Sequence, residues 1–515
     1  MKYIVTAQQM KKAEENADRK GITFSAMMDN AGNACFKQLV RITGDVSGLA
    51  FVVLCGRGNN GGDGIVLAQR IKEAGGMVLC LFVSDLPTSA NARENYSKYC
   101  VTGVNGELLD TALYTHREEV VKTALTNCDV VIDCVFGTGF EGELEPKIAS
   151  LFRFISNNCD IIKISVDVPS GVDATTGRMA ESAFRPDVTF MLGAAKKGLL
   201  SHTCFDSCGD LVLLDIGIPP ECYEEYEASF IGEEVLKHIP VRGKSAHKGD
   251  FGKLLNIAGC EQFMGAALLS TKAALKCGAG IVTLASVKEV CRSIAPAIPE
   301  ATFLPLYGDA DGFLDSDAAD KLKNKLSGFS AVSLGCGLGI TTHTQNLTET
   351  VIKNCICPII LDADGINLLS LNINVLKEND KLKVITPHPR EFSRLTGTPF
   401  NEIQADRIKH ARDFSEKWNT VTVLKGVNTV VAAPDGRVFI NITGNAGLAK
   451  GGSGDVLTGM ITSFAAQGVR LLEAALLGVY LHGLTAEKLA ESMALSGIMP
   501  GDVADFLPWM MKSLP

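Results

Sequence analysis

Short, wholly apolar runs that break off into glycine- and acid-rich loops recur along this chain, and they constrain its fold more than any other feature. The first is Leu49-Ala-Phe-Val-Val-Leu-Cys55, followed at once by GRGNNGGDG from Gly56 to Gly64. So short and so apolar a run suits a strand buried on both faces, as in a parallel sheet. A helical pattern over 65–74 and a second strand at 77–83 complete a βαβ unit, with the glycine turn at the carboxyl end of its first strand. Further strands are expected at 130–132, 161–166, 188–192 and 211–214. Before them, residues 6–42 read as helix, with Met10, Ala13, Ala17, Met27, Met28 and Ala31 as core contacts.

Two of these strands end in carboxylates, Asp133 and Asp167, and open α/β sheets bind ligands at the carboxyl ends of strands. Asn59, Asn60, Asp63, Asp133, Asp167 and Ser170 are therefore expected around one crevice. Gly56, Gly58 and Gly61 also satisfy G-x-G-x-x-G, and Asp85 lies near where a ribose-binding acid would stand. Against a dinucleotide site, Asn59, Asn60 and Asp63 crowd the turn where bare backbone would have to approach a pyrophosphate. Such side chains could hold a cation, a ribose or an amide instead.

At 515 residues the chain exceeds one ordinary core, so two domains are expected. The strand pattern lapses into charged sequence between 219 and 245, which places domains at 1–230 and 231–515. A net charge of −9 argues against nucleic acid as a bulk partner. No apolar run approaches the ~18 residues of a membrane span. Lys11, Lys12, Glu14 and Glu15 precede any long apolar stretch, so a signal peptide is not expected. Sixteen scattered cysteines without a C-x-x-C pair suggest free buried thiols and a cytoplasmic protein.

The second half alternates again, with a helix at 265–277 and strands near 281–285, 331–334, 359–361, 383–385 and 420–424. Ligand-type loops trail most of these strands: 335–339, 362–364, 386–391 and 425–429. A hairpin-like pair over 429–443, turning at Pro434-Asp-Gly436, leads into GNAGLAKGGSGD, Gly444 to Asp455. Behind it Val456, Leu457, Met460, Ile461, Phe464 and Ala465 mark one apolar helix face. A glycine-rich turn that opens a helix offers unpaired N–H groups to a phosphate, and Asp455 stands at its edge to take a proton from a hydroxyl. No Walker A exists, since His238 occupies the position of its first glycine. His388, between two prolines, is expected to touch ligand, and Lys425 to pair with a phosphate.

These residues carry a resemblance. His247-Lys-Gly-Asp-Phe-Gly252, Thr386-Pro-His-Pro-Arg-Glu391, Lys425-Gly426 with Thr429, and Asn445 through Asp455 resemble the ADP- or ATP-dependent NAD(P)H-hydrate dehydratases, a branch of the ribokinase-like superfamily. GNNGGDG, Asp133 with Gly137-Thr-Gly139, Asp167-Val-Pro-Ser-Gly171 and Ala194-Ala-Lys-Lys-Gly198 resemble the NAD(P)H-hydrate epimerases. The order is that of the bacterial fused repair enzymes.

The resemblance implies an α/β protein with an N-terminal Rossmann-like three-layer domain and a C-terminal ribokinase-like α/β domain. The first would interconvert the R and S hydrates of NADH and NADPH. The second would phosphorylate the hydroxyl of the S form and lose phosphate to restore the cofactor. It further implies Asp455 and Asp167 as catalytic residues. Asn59, Asn60, Gly61, Gly62, Asp63, Gly137, Thr138, Gly139, Phe140, Glu141, Gly142, Glu143 and Asp167 would hold hydrate in the epimerase. Gly337, His388, Pro389, Arg390, Glu391, Phe392, Ser393, Arg394 and Asp455 would hold it in the dehydratase. Lys425, Gly426, Val427, Asn428 and Thr429 would carry nucleotide, with Asn445, Ala446, Gly447, Leu448, Ala449, Lys450, Gly451, Gly452, Ser453 and Gly454. Potassium would use Asn60, Asp133 and Ser170, magnesium would serve the dehydratase, and ADP or ATP would be co-substrate.

A homo-oligomer without nucleic-acid or membrane partners is expected. Cys336 stands where the family commonly has proline, and Cys260 where serine is usual. Two other readings remain open at this level: a kinase for a small alcohol, and a non-catalytic N-terminal binding module.

Overall fold

The computed structural model describes residues 3–101, 110–113, 118–158 and 160–513. The chain divides into two compact units, Met1–Ser229 and Phe230–Pro515.

The first unit contains strands β1 (Tyr3–Val5), β2 (Ala50–Cys55), β3 (Met77–Phe82), β4 (Asp110–Leu113), β5 (Val130–Cys134), β6 (Ile162–Val166), β7 (Val188–Leu192), β8 (Ala195–Lys196) and β9 (Asp210–Leu214). Seven of them form a parallel sheet in the order β4-β3-β2-β5-β6-β7-β9. On β2, Phe51, Val53 and Cys55 join one apolar cluster and Val52 and Leu54 another, so both faces are covered, as its apolar run predicts. The strand order reverses between β2 and β5, which opens a crevice at their carboxyl ends. Beside the sheet, β1 pairs with β8 and with β10 (Ala228–Phe230).

Two expectations need correction. The single helix over 6–42 is two, Ala7–Arg19 and Phe24–Thr43. Gly21 at φ +94° turns the chain, and the Thr23 side chain accepts from Ala26 N to start the second. The helix expected from 65 starts at Asn59 and runs to Glu73, so most of the glycine turn is helix. Its glycines serve close packing: a Cβ on Gly61 would lie 2.0 Å from the Gly56 carbonyl oxygen.

The second unit contains β11 (Lys253–Ile257), β12 (Ile281–Val287), β13 (Thr302–Leu306), β14 (Ala331–Leu334), β15 (Ile359–Leu361), β16 (Lys383–Ile385), β17 (Thr420–Leu424), β18 (Thr429–Ala432) and β19 (Val438–Asn441). They lie in the order β13-β12-β11-β14-β15-β16-β17-β18-β19, parallel up to β17 and antiparallel across the two final pairs. The β18–β19 hairpin matches the pair expected before the glycine-rich stretch.

That stretch opens the helix Ser453–Ala466, which is buried all round beyond its first turn and not along one face only. A second helix, Met264–Lys276, lies against it. A Cβ on Gly459 would stand 2.2 Å from the Ser270 carbonyl oxygen, and Ser463 Oγ donates to Ala274 O at 2.8 Å. No described helix is long and apolar enough to cross a membrane.

Candidate functional sites

In the first unit a cavity of about 470 Å³ occupies the crevice between β2 and β5. The loop and helix start after β2 supply Asn59, Asn60 and Asp63, the loop after β5 supplies Gly137, Thr138, Gly139 and Phe140, and the turn after β6 supplies Asp167. Phe24, Met27, Met28 and Ile216 add an apolar wall. Gly61 and Gly62 are buried in the helix behind this lining, and Glu141, Gly142 and Glu143 are exposed outside it.

Asp167 sits at φ +70°, a backbone strain that aims its carboxylate at the cavity and suggests a functional constraint. The fully buried Lys196 donates to it and to the Leu192 carbonyl oxygen. A Cβ on Gly137 would lie 3.1 Å from Asp167 Oδ2, so glycine there leaves this carboxylate reachable. Burial pushes the Asp63 carboxyl well above the usual range, and Asp167 and Glu14 add to it.

Beneath the cavity floor, Asp133 accepts from Ser170 Oγ at 2.6 Å, Ser170 N at 2.8 Å, Ser165 Oγ at 3.0 Å and Val135 N at 3.1 Å. Burial raises its pKa to about 6 despite these donors. Asn60 Nδ2 donates to the carbonyl oxygens of Phe136 and Val166, at 2.9 and 3.2 Å. Its Oδ1 is buried without a protein partner. Phe136 N donates to Ser170 Oγ at 2.8 Å, so Phe136 links Asn60 to Ser170 and, through Ser170, to Asp133.

The second unit gathers the loops after β14, β15, β16 and β17 beside the helix Ser453–Ala466. Lys425 Nζ donates to Asp362 Oδ1 at 2.6 Å, and Thr458 Oγ1 to Asp362 Oδ2 at 2.8 Å. Lys425 is thus paired with a carboxylate and not left free at the strand exit. Burial acts most strongly to lower its pKa, but Asp362 and Glu391 together raise it. Cys336 Sγ, Asp362 and Asp455 offer atoms within 4.8 Å of one another. A Cβ on Gly454 would lie 3.2 Å from Lys425 Nζ, which joins the glycine-rich stretch to this group.

Asp455 stands in the first turn of its helix, and no side chain caps that turn. Ser453 N donates to Lys450 O at 3.3 Å, and the N–H groups of the first turn lie at the positive end of the helix dipole, an arrangement that suits an anion. Burial, then the charge of Asp362, raises the Asp455 carboxyl to about 6. Gly452, at φ +102°, makes the entry turn, and nothing lies within 4 Å of a Cβ on Gly451. Asn445 Oδ1 accepts from Gly447 N at 2.9 Å and Nδ2 donates to Ala486 O at 2.8 Å, which shapes the turn through Leu448. Lys450 Nζ donates to Ser496 O at 2.6 Å.

His388, expected to touch ligand, has a structural role in its own loop. It caps the helix Pro389–Thr396, its Nδ1 accepting from Arg390 N and Glu391 N at 3.1 Å each. Burial and the Lys425 charge lower its pKa to about 4, which matches a ring nitrogen used as acceptor. Within the same motif Phe392 turns into the core and Ser393 Oγ donates to Thr398 O, while Arg390 and Arg394 stay exposed. Gly337, at φ +62°, packs on Phe263 and Ala266, and Gly339 N donates to Asp364 Oδ2 at 2.9 Å.

Three residues escaped the sequence reading as parts of a site: Thr458, Arg407 and Glu14. Asp362 was read only as part of a ligand-type loop, without a role of its own, although it follows a buried strand as Asp167 does. Arg407 had no such signal. Its guanidinium donates to the carbonyl oxygens of Val427, Leu424 and Lys425, at 2.5, 2.6 and 3.1 Å, and so fixes the loop that carries Lys425. Arg407→Met would leave these oxygens without their donor. A loss of about 2–4 kcal/mol is expected, read from urea unfolding of the full chain. No change in the midpoint would contradict this role.

Comparison with known proteins follows the same division. A family model described as NAD(P)H-hydrate dehydratase matches residues 254–508, and one described as YjeF-related protein N-terminus matches 25–198. The bifunctional NAD(P)H-hydrate repair enzyme Nnr of Moorella thermoacetica is 35% identical over 99% of this chain and 97% of that protein. The protein of the same name from Escherichia coli is 32% identical over 95% of this chain and 90% of its own length. Among solved structures, a ribokinase-like superfamily protein from Enterococcus faecalis aligns with a TM-score of 0.50 and 27% identity, over 56% of this chain and 96% of that one.

Proposed function

This chain belongs to the family of bifunctional NAD(P)H-hydrate repair enzymes, and we propose that its two sites divide that repair between them. It epimerises the R and S hydrates of NADH and NADPH, and it dehydrates the S form to the reduced cofactor. The epimerase reaction belongs to the cavity of the first unit and the dehydration to the Asp455 site of the second.

In the dehydratase, Asp455 takes the proton of the ring hydroxyl as the hydroxyl oxygen attacks the terminal phosphoryl group of ADP or ATP, whose bridging P–O bond breaks and releases AMP or ADP. The uncapped helix turn at Ser453–Asp455 stabilises the charge that develops on that group. Loss of phosphate with the C–O bond pair, and of a proton from the neighbouring carbon, restores the ring double bond. Lys425 is held by Asp362 beside the phosphates, and Asn445 to Gly454 surround the nucleotide. Gly337 and the exposed part of the 388–394 motif meet the hydrate. The observation that carries this reading is a half-buried carboxyl in an uncapped first helical turn, beside a buried lysine–aspartate pair.

For magnesium, Asp362 and Asp455 supply the oxygens such an ion takes, whereas the neighbouring Cys336 thiol does not suit it. Bound with the nucleotide, magnesium would neutralise charge on the transferring phosphoryl group. For potassium in the epimerase, the orphaned Asn60 Oδ1 fits a hard cation beside Asp133 and Ser170. Those three residues would hold it and fix the loop that carries Gly137. In the cavity, Asp167 is the general base, oriented by Lys196.

The test is S-hydrate with ADP or with ATP. Return of the near-ultraviolet absorbance of the reduced cofactor is expected, with one phosphate released per cofactor. Transfer of phosphate to some other alcohol without that return would overturn the assignment in favour of a small-alcohol kinase.

A further inference from the structure

The epimerase cavity is lined by Glu14, Asp63, Glu145 and Asp167, and the mechanism above uses only the last of them. Glu14 reaches the cavity from the helix Ala7–Arg19 and lines the same walls as Asp63 and Asp167. Apart from the exposed Glu145 and Arg57 of the same lining, three carboxyl groups share this space with one ammonium, that of Lys196, which is fully buried and already bound by Asp167 and the Leu192 carbonyl. Three carboxylates around a single cation cannot all ionise in so closed a site, so the cavity retains at least one exchangeable proton. Asp63 is the more enclosed of the two carboxyls left without that cation. Glu14 sits on a helix of its own, on the first unit's N-terminal flank.

We propose that Glu14 is a further catalytic residue of the epimerase, giving a proton to the hydroxyl of the hydrate on one face while Asp167 serves the other. The inference rests on the reading of this cavity as the epimerase site. Hydration of an enamine puts the hydroxyl on the carbon next to nitrogen, so the ring nitrogen can expel it. Glu14 protonates the hydroxyl, the C–O bond pair leaves with the oxygen as water, and the nitrogen lone pair fills the gap. Water then adds to the opposite face and its surplus proton passes to Asp167. Return of that proton from Asp167 to Glu14 resets the site, so atoms and charge balance over the cycle.

The groups facing Glu14 are Glu15 on its own helix, Asp63 from the helix Asn59–Glu73, Asp167 after β6, Lys196 on β8 and the Tyr223 phenol. Burial, then the charge of Asp167, lifts the Glu14 carboxyl to about 7 against the pull of Lys196. A group so placed can both give and take a proton near neutrality. As the acid of R-to-S conversion it must be protonated, so the rate falls as pH rises through about 7.

The experiment measures kcat/KM for epimerisation of R-hydrate against pH, in the full chain, for wild type, Glu14→Gln and Glu14→Asp. Glu14→Gln should lose about 100-fold and its residual rate should be flat through the window where wild type declines. Glu14→Asp should recover part of the rate and the declining limb. Unchanged dehydration of S-hydrate by each variant controls for folding. A wild-type rate in Glu14→Gln, or a slowed rate with the limb intact, overturns the proposal. If wild type itself shows no epimerisation, the reading of the cavity fails and the inference with it.

Discussion

Asp455→Asn is expected to slow dehydration of S-hydrate by about 10²–10⁴-fold while hydrate and nucleotide still bind. The asparagine keeps the shape and the helix start and removes only the group that accepts the hydroxyl proton. In wild type the carboxyl titrates at about 6, so activity limited by this base should rise with pH through that value and level off above it. The asparagine variant should lack that rise. Stability moves the other way. A carboxyl whose folded pKa is raised penalises the folded state above that pKa, and the penalty fades as pH falls toward the ordinary value near 3.8. Asp455→Asn should therefore be at least as stable as wild type at pH 7, which separates a catalytic loss from an unfolded protein. Near-normal turnover would remove Asp455 from the role of base.

Asp167→Asn is expected to lower R-to-S conversion by at least about 100-fold and to leave dehydration of S-hydrate untouched. Asparagine is the better probe than alanine because this residue sits at φ +70°, where asparagine is tolerated and alanine adds strain. It also keeps an acceptor for the buried Lys196, whose partner would otherwise vanish. Epimerisation measured by separating the two hydrates, without nucleotide, reports this step alone. Retained conversion would favour a first unit that binds without catalysing.

How far these sites could be read from sequence depends on what each residue does. Strand ends were legible because burial on both faces favours short, largely apolar runs, as at 50–55 and 130–132, and Asp133, Asp167 and Lys425 sit at strand ends. The glycine-rich stretch before Asp455 was legible for the same local reason. Helix limits were less so. Asn59 to Gly64 looked like a loop because glycine usually breaks helices, yet here glycine admits the Gly56 carbonyl at the start of one. The helix Ser453–Ala466 looked one-sided because Thr458, Thr462 and Ser463 are polar, but each spends its hydroxyl inside the core on Asp362, on a helix carbonyl or on Ala274. Partners distant in sequence were not legible at all. Nothing near Lys425 names Asp362, 63 residues away, and nothing near Asp167 names Glu14.

The most direct test of the central claim, one chain with two complementary sites, supplies pure R-hydrate with nucleotide to the full protein. The account predicts complete return of reduced cofactor, faster than spontaneous epimerisation allows, and return at only the spontaneous rate in Asp167→Asn. Recovery in wild type no faster than the spontaneous rate, with S-hydrate still dehydrated, would contradict it.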